Sequence, residues 1–481
     1  MTSYVSRDHL ERAAADEATL DRALGHARAF LATLPERPVR ADASPAELLA
    51  AFGGPLPDDP EDPADVVDRL AAAAGPGLVA SQSGRFFGWV IGGALPAALA
   101  ADWLTSVWDQ NAGLLAAAPA AVAAENVAAG WLRDLLALPA GSTVGLTTGA
   151  CMANFTGILS GRQAVLARAG WDVEVDGLQG APRIRVLAGD QRHVTVDAAL
   201  RYAGLGAGRT VLVETDDQGR MRADALARAL AEGEAGQPTI VCAAAGNVNT
   251  GAFDPLAEVC DLAHARGAWV HVDGAFGLWA AAAPSTRHLA AGAERADSWA
   301  SDAHKWLNTP YDCGIVAVAD AEVHTRALGA HAAYFGAEGD LVDPLALVPD
   351  FSRRARGFPV WAALASLGRW GVADLVERCC AHARRLAAAV GALPGADVLN
   401  DVVLNQVLLR FTDDTTTDAV VRGLVEDGTV FVTGSTWKGR QAMRVSFSNW
   451  RTTDEDVDRT VDAVARVLAA ISRPEHSPGR A

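Results

Sequence analysis

The sequence has little positive charge for its length. Its 41 Lys and Arg residues are outnumbered by 58 Asp and Glu residues, which gives a formal net charge of −17 over 481 residues. A protein that binds nucleic acid needs a basic surface, so we expect no nucleic-acid partner. Half of the residues are hydrophobic, which is typical of a globular chain with a large buried core.

Paired cysteines and long apolar runs are also missing. The cysteines form no C-x-x-C pair, which argues against a disulfide framework or a zinc site, so we expect reduced thiols and no metal. Residues 1–11 carry charges and lack the apolar segment of a signal peptide. Pro, Gly, Asp or Arg interrupts every Ala-rich run, so none predicts a membrane span. We therefore expect a cytoplasmic protein with no membrane partner. The cysteines are Cys151, Cys242, Cys260, Cys313, Cys379 and Cys380.

The pattern of the chain changes near Val144. The preceding residues are mostly helical in pattern, whereas short β-branched runs then alternate with helical segments, which predicts a parallel sheet covered on both faces. A Gly-, Asp- and Pro-bearing stretch at 336–350 predicts a loop, and a long helical pattern follows at 358–390. We predict an N-terminal helical segment at 1–80, a large domain at 81–325, a loop or linker at 326–360 and a small C-terminal domain at 361–481.

Two residues stand out as candidates for chemistry. Lys305 lies between apolar residues and beside His304. Burial favours the neutral amine, which can form an imine, although a lysine whose stem reaches solvent is the commoner explanation of a lone lysine. Asp273 ends a predicted strand, at the edge where parallel sheets bind ligands. A carboxylate there could pair with a protonated ring nitrogen, or it could simply cap a helix.

Three further stretches follow predicted strands. Thr147 to Cys151 leads from a strand into a helix, whose first N–H groups can bind phosphate. His193 could stack on a flat ligand, although a lone histidine is more often structural. A polar, glycine-rich loop occupies 245–255. Each stretch has an ordinary structural explanation, but their order along one predicted sheet favours a shared ligand site.

At these residues the sequence resembles the group II pyridoxal-phosphate-dependent amino-acid decarboxylases, which include the aromatic-amino-acid, histidine and glutamate decarboxylases. The similarity extends from about Gly84 to Asp456, and its most specific part is the family's lysine signature. The signature's closing basic residue is absent, because Ala319 stands there. The residues that match it are Ser298, Trp299, Lys305, Trp306, Leu307, Tyr311, Cys313 and Val316.

The resemblance implies the α/β architecture of fold type I: a mostly parallel seven-stranded sheet flanked by helices, a small α+β C-terminal domain and an N-terminal helical segment. It also implies an obligate homodimer with active sites at the interface. The cofactor would be pyridoxal 5'-phosphate, held as a Schiff base by Lys305, with Asp273 as the pyridinium partner. Tyr334 would protonate the substrate carbon after carbon dioxide leaves. The other cofactor-binding residues implied are Thr148, Gly149, Ala150, Cys151, His193, Thr250, Ala275, Ser301 and His304; His193, which would stack on the ring, is also a candidate catalytic residue.

Two regions depart from the family's pattern. Asp302 stands where some relatives have Asn, and since an acid beside phosphate would repel it, we expect Asp302 to point away or to meet a cation. In the run 84–93, Gly92 and Gly93 replace polar residues, which predicts a roomier or more apolar substrate pocket. The candidate substrate-pocket residues are Phe87, Trp89, Val90 and Arg444; for Arg444 a structural salt bridge is an equal alternative.

We predict that the protein decarboxylates an L-amino acid to an amine. Lys305 would serve a carbon–carbon lyase or aldolase, or an aminotransferase, equally well, and Tyr334 is the residue that favours decarboxylation. The alternative from another class is a catalytically silent protein that binds pyridoxal phosphate. Such a protein would be expected to lose Lys305 or Asp273, and both are present.

Overall fold

The computed structural model describes residues 7–329 and 341–471, with side chains from residue 15 onward, so Tyr334 lies outside the described residues. The described helices alternate with strands through the middle of the chain. The helices are α1 (Arg7–Thr33), α2 (Pro45–Phe52), α3 (Pro63–Ala74), α4 (Pro96–Trp108), α5 (Pro119–Leu135), α6 (Ala150–Arg168), α7 (Val173–Asp176), α8 (Val194–Tyr202), α9 (Ala223–Ala231), α10 (Leu256–His264), α11 (Ala321–Leu328), α12 (Gly357–Gly391), α13 (Asp414–Asp427) and α14 (Asp454–Ile471). The strands are β1 (Thr143–Thr147), β2 (Arg185–Gly189), β3 (Val211–Val213), β4 (Thr239–Ala244), β5 (Trp269–Asp273), β6 (Ser298–Asp302), β7 (Gly314–Val318), β8 (Ala396–Val398), β9 (Gln406–Phe411), β10 (Thr433–Trp437) and β11 (Arg440–Ser446).

Seven strands form one sheet in the order β1-β7-β6-β5-β4-β2-β3. The neighbours from β6 through β3 run parallel, whereas β7 is antiparallel to both β6 and β1. Every residue of β5, β6 and β7 is buried, as expected when helices cover both faces of a sheet. The predicted mostly parallel seven-stranded sheet is therefore confirmed.

The C-terminal region forms a separate antiparallel sheet in the order β10-β11-β9-β8. Helix α12 leads to it and packs against α4, α5 and α14. The helical pattern predicted at 358–390 is interrupted within α12 at Gly368, whose φ of 58° is left-handed and is a conformation that glycine adopts at little cost. The small α+β region is present as predicted, while the exact domain limits stay a prediction.

The N-terminal region is helical, and its second helix illustrates why. Ser44 accepts a hydrogen bond from the backbone N–H of Glu47, and the Glu47 carboxylate accepts one from the backbone N–H of Ser44. This reciprocal capping, with Pro45 in the first turn, satisfies N–H groups that a helix end leaves free. None of the described helices combines the length and apolar character needed to cross a bilayer. All six cysteines are unpaired thiols.

A buried ion pair joins the segment before α12 to the large sheet. The Arg353 guanidinium donates to the Glu125 carboxylate at 2.8 Å, to the carbonyl of Leu146 at 2.7 Å and to that of Ala112 at 3.0 Å. Its side chain is 0% exposed and that of Glu125 is 4% exposed. Because both charges are desolvated, each depends on the other for compensation.

We expect Arg353→Met to lower the free energy of unfolding by about 3–5 kcal/mol, since the change leaves a buried carboxylate and two carbonyls without a donor. Urea denaturation at a fixed protein concentration measures the loss. The neighbouring Arg354 pairs with Asp102 at the surface, with 37% of its side chain exposed, so Arg354→Met is the matched control and should cost no more than about 1 kcal/mol. Equal losses of stability in the two variants would contradict the conclusion that the buried Arg353–Glu125 pair stabilises the fold.

Candidate active site

A cavity of about 250 Å³ opens where the parallel strands of the large sheet end. The loops after β1, β2, β4, β5 and β6 all contribute to its wall, which is the edge at which α/β sheets bind ligands. The lining residues are Gly149, Ala150, Cys151, Gln191, His193, Thr195, Ala244, Gly246, Asn247, Val248, Asp273, Ala275, Phe276, Asp302, His304 and Lys305.

Lys305 lies just after β6 and lines this cavity together with Asp273, at the end of β5. The Lys305 ammonium is 3.1 Å from a carboxylate oxygen of Asp302, and only 18% of the lysine side chain is exposed. The Asp273 carboxylate accepts a hydrogen bond from the backbone N–H of Ala275 at 3.3 Å. The two groups on which the sequence argument depends therefore share one cavity.

Asp302 is buried and meets a cation, which was one of the two outcomes expected. One of its oxygens faces Lys305, and the other accepts a hydrogen bond from the backbone N–H of Ala150 at 2.6 Å. His304 lies 3.4 Å from the same oxygen. Nδ1 of His304 accepts from the N–H of Cys313, and burial lowers the pKa of His304, so the neutral ring turns Nε2–H toward Asp302.

The first turn of α6 lies beside the cavity, which Ala150 and Cys151 line. Ala150 uses its N–H on Asp302, but those of Cys151 and Met152 have no carbonyl of their own helix to reach. Gly149 precedes them, and a Cβ at this position would lie 3.3 Å from His304 Cε1 and 3.6 Å from Asp302 Oδ1. The glycine keeps this part of the wall free of a side chain.

His193 caps the N-terminus of α8. Its Nδ1 accepts a hydrogen bond from the backbone N–H of Thr195. Burial lowers the pKa of His193, and the charges of Lys305 and Arg444 lower it further, against the opposite effect of Asp273 and Asp302. The residue is therefore a neutral imidazole at neutral pH.

The segment that carries Lys305 is clamped by Asn308, which the sequence argument did not single out. The buried Asn308 amide donates to the carbonyls of Trp306 and Ser448, and its oxygen accepts from the N–H groups of Gly93 and Trp450. Asn308 has a left-handed φ of 55°, which Asn tolerates better than most residues. One side chain thus joins three stretches of chain next to Lys305.

Gly92 and Gly93 allow the run 84–93 to pack closely against neighbouring chain segments. A Cβ at Gly92 would lie 1.9 Å from the carbonyl oxygen of Lys305, and one at Gly93 would lie 2.7 Å from Asn449 Oδ1. The prediction that they make a substrate pocket roomier is wrong, because the space of each absent side chain is filled by neighbouring atoms. Their small size lets this run approach the lysine segment. The alternative, a more apolar pocket, stays a prediction.

The other predicted substrate-pocket residues lie outside the lining of this cavity. Phe87 packs on Phe447 with ring centroids 4.7 Å apart, and Val90 is buried in the core. Trp89 is 56% exposed. Arg444 is buried, which lowers its pKa to about 10, and no carboxylate of the described residues lies within 4.0 Å of it, so the salt bridge considered as an alternative is not seen there.

Three predicted cofactor-binding residues also lie outside the lining. The Thr250 hydroxyl donates to the carbonyl of Gln218, and that of Ser301 donates to the carbonyl of Ala275. Thr148 precedes the glycine of the α6 turn. Tyr334 falls outside the described residues, and its role stays a prediction.

Several lining residues were not singled out from sequence. Asn247 accepts hydrogen bonds from the N–H groups of Asn249 and Thr250 within the polar loop that the sequence did indicate. Gln191 and Thr195 flank His193, and Phe276 follows Ala275. The sequence could have indicated them, because each lies close to a candidate residue in a loop that follows a strand.

Comparison with known proteins identifies the family. The model of the "Pyridoxal-dependent decarboxylase conserved domain" matches residues 45–412. "Tryptophan decarboxylase 1" of Oryza sativa subsp. japonica is 32% identical over 338 residues, covering 66% of this chain and 64% of that protein. "Aromatic-L-amino-acid decarboxylase" of Bacillus atrophaeus is 26% identical over 418 residues, covering 84% of this chain and 85% of that protein.

A solved structure shows the same fold. The crystal structure of Oryza sativa TDC with PLP and tryptamine matches with a TM-score of 0.89 at 23% identity, covering 98% of this chain and all of that one. This likeness confirms the predicted fold class. The matched family is named for its dependence on pyridoxal, which confirms the predicted cofactor. Because the family model spans more than half of the chain, the protein belongs to the pyridoxal-dependent decarboxylase family.

Proposed function

We propose that the protein uses pyridoxal 5'-phosphate to decarboxylate an L-amino acid to an amine. The observation that carries the proposal is the shared cavity of Lys305 and Asp273. An amine that can bind an aldehyde and a carboxylate that can hold a protonated ring nitrogen are the two groups this cofactor chemistry requires. Family membership and the relatives named as amino-acid decarboxylases support the same reaction.

The residues present fit the cofactor. The amine of Lys305 is largely buried and adjoins the first turn of α6, where the N–H groups of Cys151 and Met152 are free for phosphate oxygens. Gly149 leaves this turn open, and His193 offers a flat face. Asp302 adds a negative charge here, but its contacts with Lys305 and Ala150 compensate it.

Each residue has a distinct proposed role. When bound, the cofactor supplies an electron sink for the bond broken at the α-carbon. Lys305 would hold the cofactor through Nζ, and Asp273 would keep a proton at the ring nitrogen so that the ring retains its electron demand. His193 would pack on the ring. Tyr334 would supply a proton to the α-carbon after carbon dioxide leaves.

Arg444 is the proposed partner for a substrate anion. A buried guanidinium without a carboxylate is costly, and Arg444 is close enough to the cavity for its charge to lower the pKa of His193. The substrate's carboxylates are the available anions. Phe87, Trp89 and Val90 remain proposed pocket residues, and the aromatic and acidic amino acids in the names of relatives define the first substrates to screen.

The proposed function is tested by incubating the cofactor-loaded protein with each L-amino acid and measuring carbon dioxide and organic products by mass. Equal amounts of carbon dioxide and amine are expected for at least one amino acid. Keto acid without carbon dioxide would identify an aminotransferase, and cleavage of a side-chain carbon–carbon bond would identify a lyase or aldolase. Since "Phenylacetaldehyde synthase" of Petunia hybrida is 28% identical, aldehyde is measured as well. Cofactor binding without any product would identify a silent protein.

A homodimer is the proposed assembly. Monomeric proteins rarely expose clustered aromatic side chains, and α4, α5 and α12, which pack together, expose Trp103, Trp108, Trp131, Trp361 and Trp370. Light scattering on the purified protein should give twice the chain mass of 50.0 kDa, and a monomer at micromolar concentration would contradict the proposal.

The proposed location is the cytoplasm. The unpaired state of all six cysteines supports it, because reduced thiols persist in a reducing compartment. Fractionation of the cells that produce the protein tests this.

A further inference from the structure

A line of buried polar side chains runs behind the cavity. The indole N–H of Trp269, on β5, donates to the hydroxyl of Ser298, on β6, at 2.9 Å. The same hydroxyl lies 2.8 Å from Nδ1 of His271, whose Nε2 lies 2.8 Å from the side-chain oxygen of Asn154 on α6. Ser298, His271 and Asn154 are each 0% exposed. These three side chains are therefore shielded from bulk water.

The line continues from Asn154 to the cavity. The Asn154 amide N–H₂ lies 3.4 Å from the Thr195 hydroxyl, which in turn lies 2.8 Å from Nδ1 of His193. The backbone N–H of Thr195 reaches the same ring nitrogen at 3.3 Å. His193 lines the cavity, and its Nε2 has no hydrogen-bond partner among the described residues. The line thus ends on a histidine whose other nitrogen is open to a ligand.

The direction of the hydrogen bonds follows from the groups that can only donate. A backbone N–H can only donate a hydrogen bond. Because Nδ1 of His193 accepts from the backbone N–H of Thr195, it carries a lone pair and no proton, and the Thr195 hydroxyl donates to it as well. The Thr195 oxygen then accepts from the Asn154 amide, which leaves the Asn154 oxygen to accept from Nε2–H of His271. Burial lowers the pKa of His271 to about 3, so its ring is neutral and its Nδ1 accepts.

The opposite end of the line agrees with this direction. The indole N–H of Trp269 is also a donor only, so it occupies the Ser298 oxygen and leaves the Ser298 hydroxyl hydrogen for Nδ1 of His271. The alternative acceptor for that hydrogen, the carbonyl of Gly157, is farther away at 3.4 Å. Every donor thus points toward His193, an arrangement in which successive hydrogen bonds polarise and strengthen one another.

We propose that this hydrogen-bond line, acting through Asn154 and Thr195, holds His193 as the neutral tautomer with its proton on Nε2, so that an N–H donor faces the cavity. Asn154 and Thr195 are positioning residues. We assign this donor to a cofactor or substrate oxygen, which it would bind while the ring stays uncharged; that use rests on the proposed function. The tautomer of His193 does not depend on the proposed function.

The charges around His193 are compatible with a neutral ring. Lys305 and Arg444, from the β6 loop and β11, oppose protonation, while Asp273 and Asp302, from the ends of β5 and β6, favour it. The two cations and the two anions act in opposite directions, and burial, which is the largest effect, favours the neutral form. The hydrogen-bond line decides which of the two nitrogens carries the proton.

The test is nuclear magnetic resonance of the cofactor-free protein with ¹⁵N-labelled histidine rings. His193→Gln identifies the signal of His193 among those of the eleven histidines. At neutral pH we expect a protonated Nε2 and an unprotonated Nδ1 at His193. A protonated Nδ1, or a doubly protonated ring, would overturn the proposal.

Two variants test the positioning residues. Thr195→Val removes the hydroxyl but keeps the shape and the backbone N–H, and should raise the population of the Nδ1–H tautomer roughly two- to tenfold, the equivalent of one hydrogen bond. Thr195→Ser, which restores a hydroxyl, should behave as the wild type. Identical ring signals in the two variants would overturn the role of Thr195.

Asn154→Asp tests the direction of the line. An ionised carboxylate has no hydrogen to donate to Thr195, so the Thr195 hydroxyl should turn toward it and the Nδ1–H tautomer should again increase. Unchanged His193 signals in folded Asn154→Asp would overturn the role of Asn154; if that variant does not fold, the wild-type and Thr195 measurements still decide the proposal. These signals are read without turnover, so failure of the proposed reaction and failure of this inference give different results.

Discussion

Replacing Lys305 by Ala is expected to abolish turnover, with a loss on the order of 10⁴- to 10⁶-fold, as when a covalent catalytic group is removed from other enzymes. The lysine Nζ is the proposed attachment point for the cofactor, and it lies in the cavity beside Asp302. Without it the cofactor is held only by noncovalent contacts. Carbon dioxide release measures the loss.

The residue to which the cofactor is attached can be determined without measuring activity. The chain contains only two lysines, Lys305 and Lys438, so borohydride reduction of the loaded protein followed by peptide mass analysis should locate the cofactor on Lys305. Lys438 pairs with Asp217 and contacts the carbonyl of Asp216 away from the cavity. Lys438→Ala is therefore the matched control and should keep both the adduct and the turnover. An adduct on Lys438 in the wild type, or normal turnover in Lys305→Ala, would remove the basis of the proposed function.

Replacing Asp273 by Asn is expected to lower kcat on the order of 10²- to 10³-fold, the usual effect of removing one preorganised electrostatic contact. The amide keeps the size of the side chain and an oxygen for the N–H of Ala275, but it cannot hold a proton on the ring nitrogen by charge. Steady-state decarboxylation rates under saturating cofactor measure this effect. The exposed Asp261, on α10, is paired with Arg295, and Asp261→Asn controls for a general change in net charge.

A cofactor analogue with carbon in place of the ring nitrogen tests whether Asp273 acts through that nitrogen. With the analogue, wild-type activity should fall toward that of Asp273→Asn, and the mutation should then cost little more, because its partner atom is absent. If the mutation costs the same factor with both cofactors, Asp273 acts in some other way.

The sequence was most informative where chemistry and strand pattern coincide. Strands β4 and β7 are short, largely apolar runs of the kind from which the sheet was predicted. Asp273 ends a strand, and Lys305 and His193 follow strands; parallel topology alone brings the ends of such strands to one edge. For these residues the order along the chain was sufficient to predict a common cavity.

Strand β6, just before Lys305, was much less clear from sequence. Its residues Ser298, Ser301 and Asp302 are polar, yet all are buried, because their side chains meet partners from other elements: Ser298 contacts Trp269 and His271, and Asp302 contacts Lys305 and Ala150. A hydrophobicity pattern cannot show that a polar residue will be buried when partners such as Ala150 for Asp302, or His271 for Ser298, come from other elements.

The order of residues by itself determined the family, the cofactor and the sheet at whose edge the candidate lysine lies, since these depend on local motifs and on strand–helix alternation. Tertiary structure alone decided how the site is held: Asn308 clamping three segments around Lys305, Gly92 packed on the lysine backbone, and the line of hydrogen bonds from Trp269 to His193. Those contacts join residues up to 215 positions apart, and such partners are defined only once the chain has folded.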